Sequence, residues 1–215
     1  MRTLPSTPAA VITVPCEDPV AVVAMASSAG GIQALGAVLL ALGEGFPAPI
    51  VVVQHLDPKH RSLLAEVLCR QTRLKVRQAI DGDRLSPGTV LLAPPNWHLL
   101  VNHDGTVSLT QTARVQFVRP SADVLFESLA ASFAERAIAV VLTGSGTDGA
   151  KGVRAIKTQG GTVIVQDPKS AQFTGMPQAA AMTEQADHIV DLEAIPALLR
   201  TVVDAKAVHG RRSDH

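Results

Sequence analysis

AIAVVLTGSGTDGAKGVRAIKTQGGTVIVQ, residues 137–166, changes character three times. AIAVVLT (137–143) is a short β-branched run without a polar face. GSGTDG (144–149) is a turn of small residues around one carboxylate, AKGVRAIKTQG (150–160) has helical spacing, and TVIVQ (162–166) is again a strand. Strands that are apolar on both faces belong to a parallel sheet covered by helices on both sides. The same alternation extends through the chain. Strands are expected over 20–25, 50–55, 89–94, 98–102 and 188–190, and helices over 31–43, 60–71, 121–136 and 195–206. Ser121 with Asp123 reads as a local cap of the third helix. In 97–110, Asp104-Gly105 sits between two alternating runs and marks an antiparallel hairpin. The expected fold is α/β: a three-layer, largely parallel Rossmann-like sheet with helices on both faces and one small hairpin excursion.

Residues 1–18, with Pro5, Pro8 and Pro15, read as a flexible leader, 19–205 as the folded domain, and 206–215 as a flexible tail with Lys206, Arg211 and Arg212. Lys plus Arg and Asp plus Glu balance at 19 each, and the aromatics are five Phe and one Trp. A nucleic-acid partner, which needs a basic footprint or a stacking platform, is therefore not expected. Cys16 and Cys69 have no metal spacing and form no disulfide framework. No apolar run approaches the ~20 residues of a membrane span, so neither membrane insertion nor export is expected, and the cytoplasm is the expected location.

Ligands of open α/β sheets bind at the carboxyl ends of the strands, and three of these ends carry reactive residues. The first strand turns through Ala26-Ser27-Ser28-Ala29-Gly30-Gly31, which sets a serine near the unpaired N–H groups of a helix N-terminus. The second delivers His55, and the strand 137–143 leads to Asp148. Singly, these are a cap, a structural histidine and a helix N-cap. Together they form a nucleophile, a base and an orienting carboxylate. The chain order Ser, His, Asp and the absence of G-x-S-x-G separate the set from the α/β-hydrolases. A competing reading takes Gly144, Gly146 and Gly149 as a G-x-G-x-x-G nucleotide fingerprint with Asp167 as its acidic partner. Against it stands Asp148, whose charge would lie inside the phosphate loop. A non-catalytic binding platform is the third reading.

Six segments in order, VAMASSAGG (23–31), VVVQHLDP (51–58), LLAPPNWHLLV (91–101), RPSADVLF (119–126), VVLTGSGTDGAKG (140–152) and VQDPKSAQFTGMPQAA (165–180), resemble the catalytic domain of the CheB-type chemotaxis protein-glutamate methylesterases, which are also protein-glutamine glutaminases. The resemblance implies serine-dependent hydrolysis of glutamyl methyl esters on chemoreceptors, with Ser28 as nucleophile, His55 as general base and Asp148 as its partner. It implies no metal and no cofactor, and the methylated cytoplasmic helices of chemoreceptors as partners. Ala29 and Ser145 stand where many members have Thr and Met. Too little chain precedes residue 20 for a receiver domain, so the expectation is a stand-alone module controlled by a separate regulatory protein. Arg119 is a candidate for binding acidic groups beside the target glutamate, with a structural carboxylate pairing as its alternative. Met176 is a candidate lining residue of the substrate cleft, or else a core methionine. His98 reads as structural, and Lys59, His60 and Arg61 as a solvated helix start.

Overall fold

The computed structural model describes residues 19–56 and 62–213, with side chains to residue 208. The leader 1–18 and the cluster Lys59-His60-Arg61 lie outside the described residues. Nine strands and six α-helices alternate among them: β1 (Val22–Ser27), α1 (Gly31–Leu42), β2 (Ile50–Gln54), α2 (Leu64–Cys69), β3 (Lys75–Gln78), β4 (Thr89–Leu92), β5 (His98–Val101), β6 (Val107–Thr110), α3 (Ala122–Phe133), β7 (Ala137–Val141), α4 (Ala150–Thr158), β8 (Thr162–Gln166), α5 (Gly175–Ala181), β9 (His188–Val190) and α6 (Ile195–Ser213). Seven strands form one sheet in the order β3-β4-β2-β1-β7-β8-β9, and every pairing in it is parallel. β5 and β6 form the separate antiparallel hairpin. Its turn is closed by Asp104, which accepts from the Thr106 N–H and hydroxyl, and by Gly105 at φ 73°.

Side-chain alternation along the buried strands divides the core in two. Val22, Ala24, Val51, Val53, Ala139 and Val141 face α3, α4 and the hairpin. Val23, Met25, Ile50, Val52, Ile138 and Val140 face α1, α2 and α6. This three-layer α/β architecture is the one expected. On the first face α3 packs against α4 with almost no spacer, because Gly152 has no side chain: a Cβ there would lie 2.5 Å from the Phe126 Cβ.

The departures from expectation lie at edges and ends. β3 was not expected; its Lys75 and Arg77 interrupt an apolar run only four residues long, as suits an edge strand that must not recruit another chain. α5 was also missed, since seven residues with a Pro at the third position give little helical period. The helix expected over 60–71 is described over Leu64–Cys69 only. α6 continues to Ser213, beyond the boundary set at 205, so the polar stretch read as tail is helical through that residue.

The connection after β4 passes through the hairpin and α3, then returns the chain to the far side of β1. The direction of winding therefore reverses between β1 and β7, and a crevice opens at such a switch point. The loops after β1, β2 and β7 all lie there.

Candidate active site

The turn after β1 is tightly pinned. Gly30 takes φ 72° as the residue before α1, a left-handed conformation that suits glycine. The Ser28 N–H donates to Thr143 O at 3.1 Å, and the Gly31 N–H donates to Ser28 O at 2.9 Å. Among the described residues, these main-chain bonds leave the Ala29 and Gly30 N–H groups unused. The Thr143 hydroxyl donates to Ala29 O at 3.1 Å, tying the turn to the loop after β7.

Gln54, at the end of β2, was not singled out in the sequence, yet it joins two of the reactive ends. It is buried and accepts from the Ser27 hydroxyl at 2.6 Å; its amide donates to Ser28 O at 2.7 Å and His55 O at 3.0 Å. One side chain thus fixes the backbone of both the serine and the histidine. Gln54→Leu leaves these partners without it, and a displacement on the order of 1 Å at a reacting group costs about 10²-fold. The expected result is a fall of that order in kcat on a capped glutamyl γ-methyl ester, with KM little changed, read by steady-state kinetics.

His55 donates from Nε2 to Asp148 Oδ2 at 2.8 Å. Asp148 is 4% exposed and accepts three further bonds, all from the start of α3: the Ala122 N–H to Oδ2 at 2.6 Å, the Ser121 hydroxyl to Oδ1 at 2.8 Å and the Asp123 N–H to Oδ1 at 3.1 Å. Burial alone would push the carboxyl up. The bonds from His55, Ala122, Asp123 and Ser121 outweigh it and hold Asp148 below the ordinary carboxylate range. It is therefore ionised at neutral pH and can only accept. That assigns the His55 proton to Nε2 and leaves Nδ1 as the free base, the reverse of the assignment in the usual Ser-His-Asp template.

Asp123 returns the service. Its Oδ1 accepts from the Gly149 N–H at 2.9 Å and the Gly152 N–H at 2.8 Å, at the start of α4, and its Oδ2 from Gln116 Nε2 at 2.9 Å. Each helix start is thus capped by a carboxylate from the other. The local cap expected of Ser121 and Asp123 is not formed, because both side chains reach across to the loop after β7. Burial pushes Asp123 up, the neighbouring Asp148 charge adds to this, and the bonds from Gly152 and Gly149 oppose it. This arrangement also corrects the nucleotide reading of Gly144, Gly146 and Gly149: the anion position at the N-terminus of α4 is filled by the protein's own carboxylate. Asp167 accepts from the Lys169 N–H at 2.8 Å in a local turn at the surface.

The remaining candidates are placed differently: Arg119 lines a recess next to His55, while Met176 and His98 are buried. Arg119 bonds Asn96 Oδ1 through Nε (3.1 Å) and Nη2 (2.8 Å), and the Gln111 and Thr112 carbonyls through Nη1 (2.8 and 2.6 Å). Its partners are an amide and two carbonyls rather than a carboxylate, and four of its five N–H groups are committed. Met176 is buried in the core behind Gly144, where a Cβ would lie 2.3 Å from the Met176 Sδ, so it does not reach the cleft surface. His98 is fully buried, with Nε2 3.1 Å from Ala113 O and Nδ1 accepting from the Ser121 N–H at 3.2 Å. Ser28, Ala29, Gln54, His55 and Leu56 line an open recess of about 550 Å³. Among the described residues, no cluster of three or more His, Cys, Asp or Glu gathers to hold a metal.

Comparison with known proteins matches this architecture to one family. The sequence model described as CheB methylesterase covers residues 23–199. A Leptospira interrogans protein, provisionally named a protein-glutamate methylesterase/protein-glutamine glutaminase, is 39% identical over 171 residues, 80% of this chain and 89% of that protein. The protein-glutamate methylesterase FrzG of Myxococcus xanthus is 39% identical over 186 residues, 86% of this chain and 56% of FrzG. The crystal structure of the Thermotoga maritima CheB methylesterase catalytic domain superposes with a TM-score of 0.81 at 36% identity, covering 85% of this chain and 98% of that one.

Proposed function

The chain belongs to the CheB methylesterase family of carboxylic ester hydrolases, and from that premise we propose that Ser28, His55 and Asp148 hydrolyse glutamyl γ-methyl esters on chemoreceptor-type proteins. The observation that carries this reading is the His55–Asp148 bond of 2.8 Å beside the Ser28 turn, at the switch point of the sheet. Ser28 Oγ attacks the ester carbonyl while its proton passes to His55 Nδ1. Asp148 stabilises the imidazolium through Nε2–H. The oxyanion forms beside the Ala29 N–H, the amide following the nucleophile, which no backbone bond among the described residues uses. His55 then returns the proton to the departing methoxide, giving methanol and an acyl-enzyme. Water, deprotonated by the same nitrogen, releases the glutamate. With a glutamine side chain the same sequence expels ammonia, which gives the glutaminase activity. On this reading the partner is the methylated cytoplasmic helix of a chemoreceptor and the protein works in the cytoplasm. No described helix is long and apolar enough to cross a membrane.

The test is methanol release from a chemoreceptor fragment carrying glutamyl methyl esters, paired with labelling by a fluorophosphonate and location of the adduct by mass spectrometry. Release of methanol and an adduct on Ser28 are expected. A folded chain that releases none, or an adduct on another serine, overturns the reading.

A further inference from the structure

Residues 115–118 make a second, much smaller hairpin beside the site. The Val115 N–H donates to Val118 O at 3.1 Å and the Val118 N–H to Val115 O at 2.9 Å. The two residues between them, Gln116 at φ 48° and Phe117 at φ 67°, both occupy the left-handed region. Turns of this kind normally use Asn and Gly, so this backbone is strained where a flexible residue would relieve it. Phe117, at the tip, is 93% exposed, so packing inside the chain does not repay that strain. The tip is nevertheless held in place. Gln116 donates to Asp123 Oδ2 at 2.9 Å and accepts from the Thr147 hydroxyl at 2.7 Å, so the hairpin is bolted to the groups that surround Asp148.

Phe117 faces a second recess, lined with Leu56, Arg114, Val118, Arg119 and Pro120, that shares His55 and Leu56 with the recess over Ser28. The two recesses meet at His55 and Leu56, with exposed Ile32 lining the first and Phe117 the second. A capped single ester is small enough for the recess over Ser28 alone, whereas a protein segment bearing the ester is long enough to reach the second recess as well. We propose that Phe117 is an aromatic anchor that seats an apolar side chain of the protein segment bearing the ester, with exposed Arg114 beside it suited to the carboxylates that hydrolysis leaves on that segment. Aromatic side chains give large contact area at low entropy cost and dominate such interfaces. This inference rests on the proposed function and identifies the part of the surface that tells a protein ester from a free one.

The experiment compares wild type with Phe117→Gly and Phe117→Tyr on two substrates, a methylated chemoreceptor fragment and a capped glutamyl γ-methyl ester, with thermal unfolding alongside. Glycine suits φ 67°, so Phe117→Gly is expected to unfold no earlier than wild type. It should lose at least about 10-fold in kcat/KM on the protein, chiefly through KM, and keep its rate on the capped ester. Phe117→Tyr should retain most of the protein activity. If Phe117→Gly keeps full activity on the protein, or loses both activities together, the anchor is overturned while the esterase reading stands. If wild type cleaves the capped ester but not the methylated protein, the substrate reading is overturned and the anchor with it.

Discussion

Ser28→Ala is expected to lower methanol release by at least about 10³-fold while leaving the fold and its stability unchanged. The separation of the two effects follows from what Ser28 does structurally. Its bonds are made by the main chain, through N–H to Thr143 O and through its carbonyl to Gly31 and Gln54, and alanine keeps all of them. The side chain is partly exposed at the recess, and removing its oxygen leaves no buried group unpaired. His55→Ala is expected to lose a similar factor, because it removes the only described base in contact with Asp148. The check is steady-state methanol release with circular dichroism and urea midpoints on the same preparations. A Ser28→Ala chain that retains more than a tenth of the rate sinks the nucleophile and shows that another group attacks the ester; a folded wild type that releases no methanol leaves the binding-platform reading standing.

Asp148→Asn carries the other large effect, and here activity and stability fall together. Four donors converge on this carboxylate: the His55 Nε2–H, the Ala122 and Asp123 N–H groups and the Ser121 hydroxyl. An amide offers one oxygen and one NH₂, so whichever way it turns, two protons meet. The rate is expected to fall on the order of 10³–10⁴-fold, since the wrong His55 tautomer is favoured. The fold is expected to lose about 1–3 kcal/mol, the cost of a buried group left without a partner. The pH dependence has a definite sign. The folded pKa of Asp148 is depressed, so its contribution is present above the ordinary carboxylate value and is lost as pH falls through the folded one. Asp123, whose pKa is raised, contributes in the opposite sense, losing stability as pH rises from the ordinary value toward its folded one. The stability gap between wild type and Asp148→Asn should therefore be widest at neutral pH and narrow below about pH 4. Urea midpoints at pH 7 and pH 3 check this; an equal gap at both values would show that the charge of Asp148 contributes nothing.

The layers of the fold were legible because the central strands carry no polar face: VVAMAS, IVVVQ and AIAVV cannot lie anywhere but between two helical layers. Strand ends are legible to within about two residues (β1, expected over 20–25, runs Val22–Ser27), which is enough to put Ser28, His55 and Asp148 in the loops that follow. Local reading fails where a side chain serves a distant backbone. Ser121 and Asp123 have the spacing of a cap for their own helix, but their partners lie 26 to 29 residues away in sequence. Arg119 reads as a cation seeking an acid, whereas it holds two loop carbonyls and Asn96, and a carbonyl leaves no mark in a sequence. Gln54 lies one residue before His55 in the expected strand 50–55 and carries no motif of its own. A glutamine on an otherwise apolar run was the available signal, since a buried amide must find partners for both of its ends. Phe117 gave no periodic signal at all; only the positive φ and the exposure of its ring set it apart.

The cross-capped helix starts also decide what a lineage can discard. A descendant under no demand for catalysis can replace Ser28 at once, because nothing in the scaffold depends on that hydroxyl. It cannot replace Asp148 so freely, because the Ser121 hydroxyl and the Ala122 and Asp123 N–H groups at the start of α3 would lose their acceptor. Among relatives of this chain, then, an aspartate at this position testifies only that the protein folds this way, and the serine is the residue whose retention reports a working enzyme.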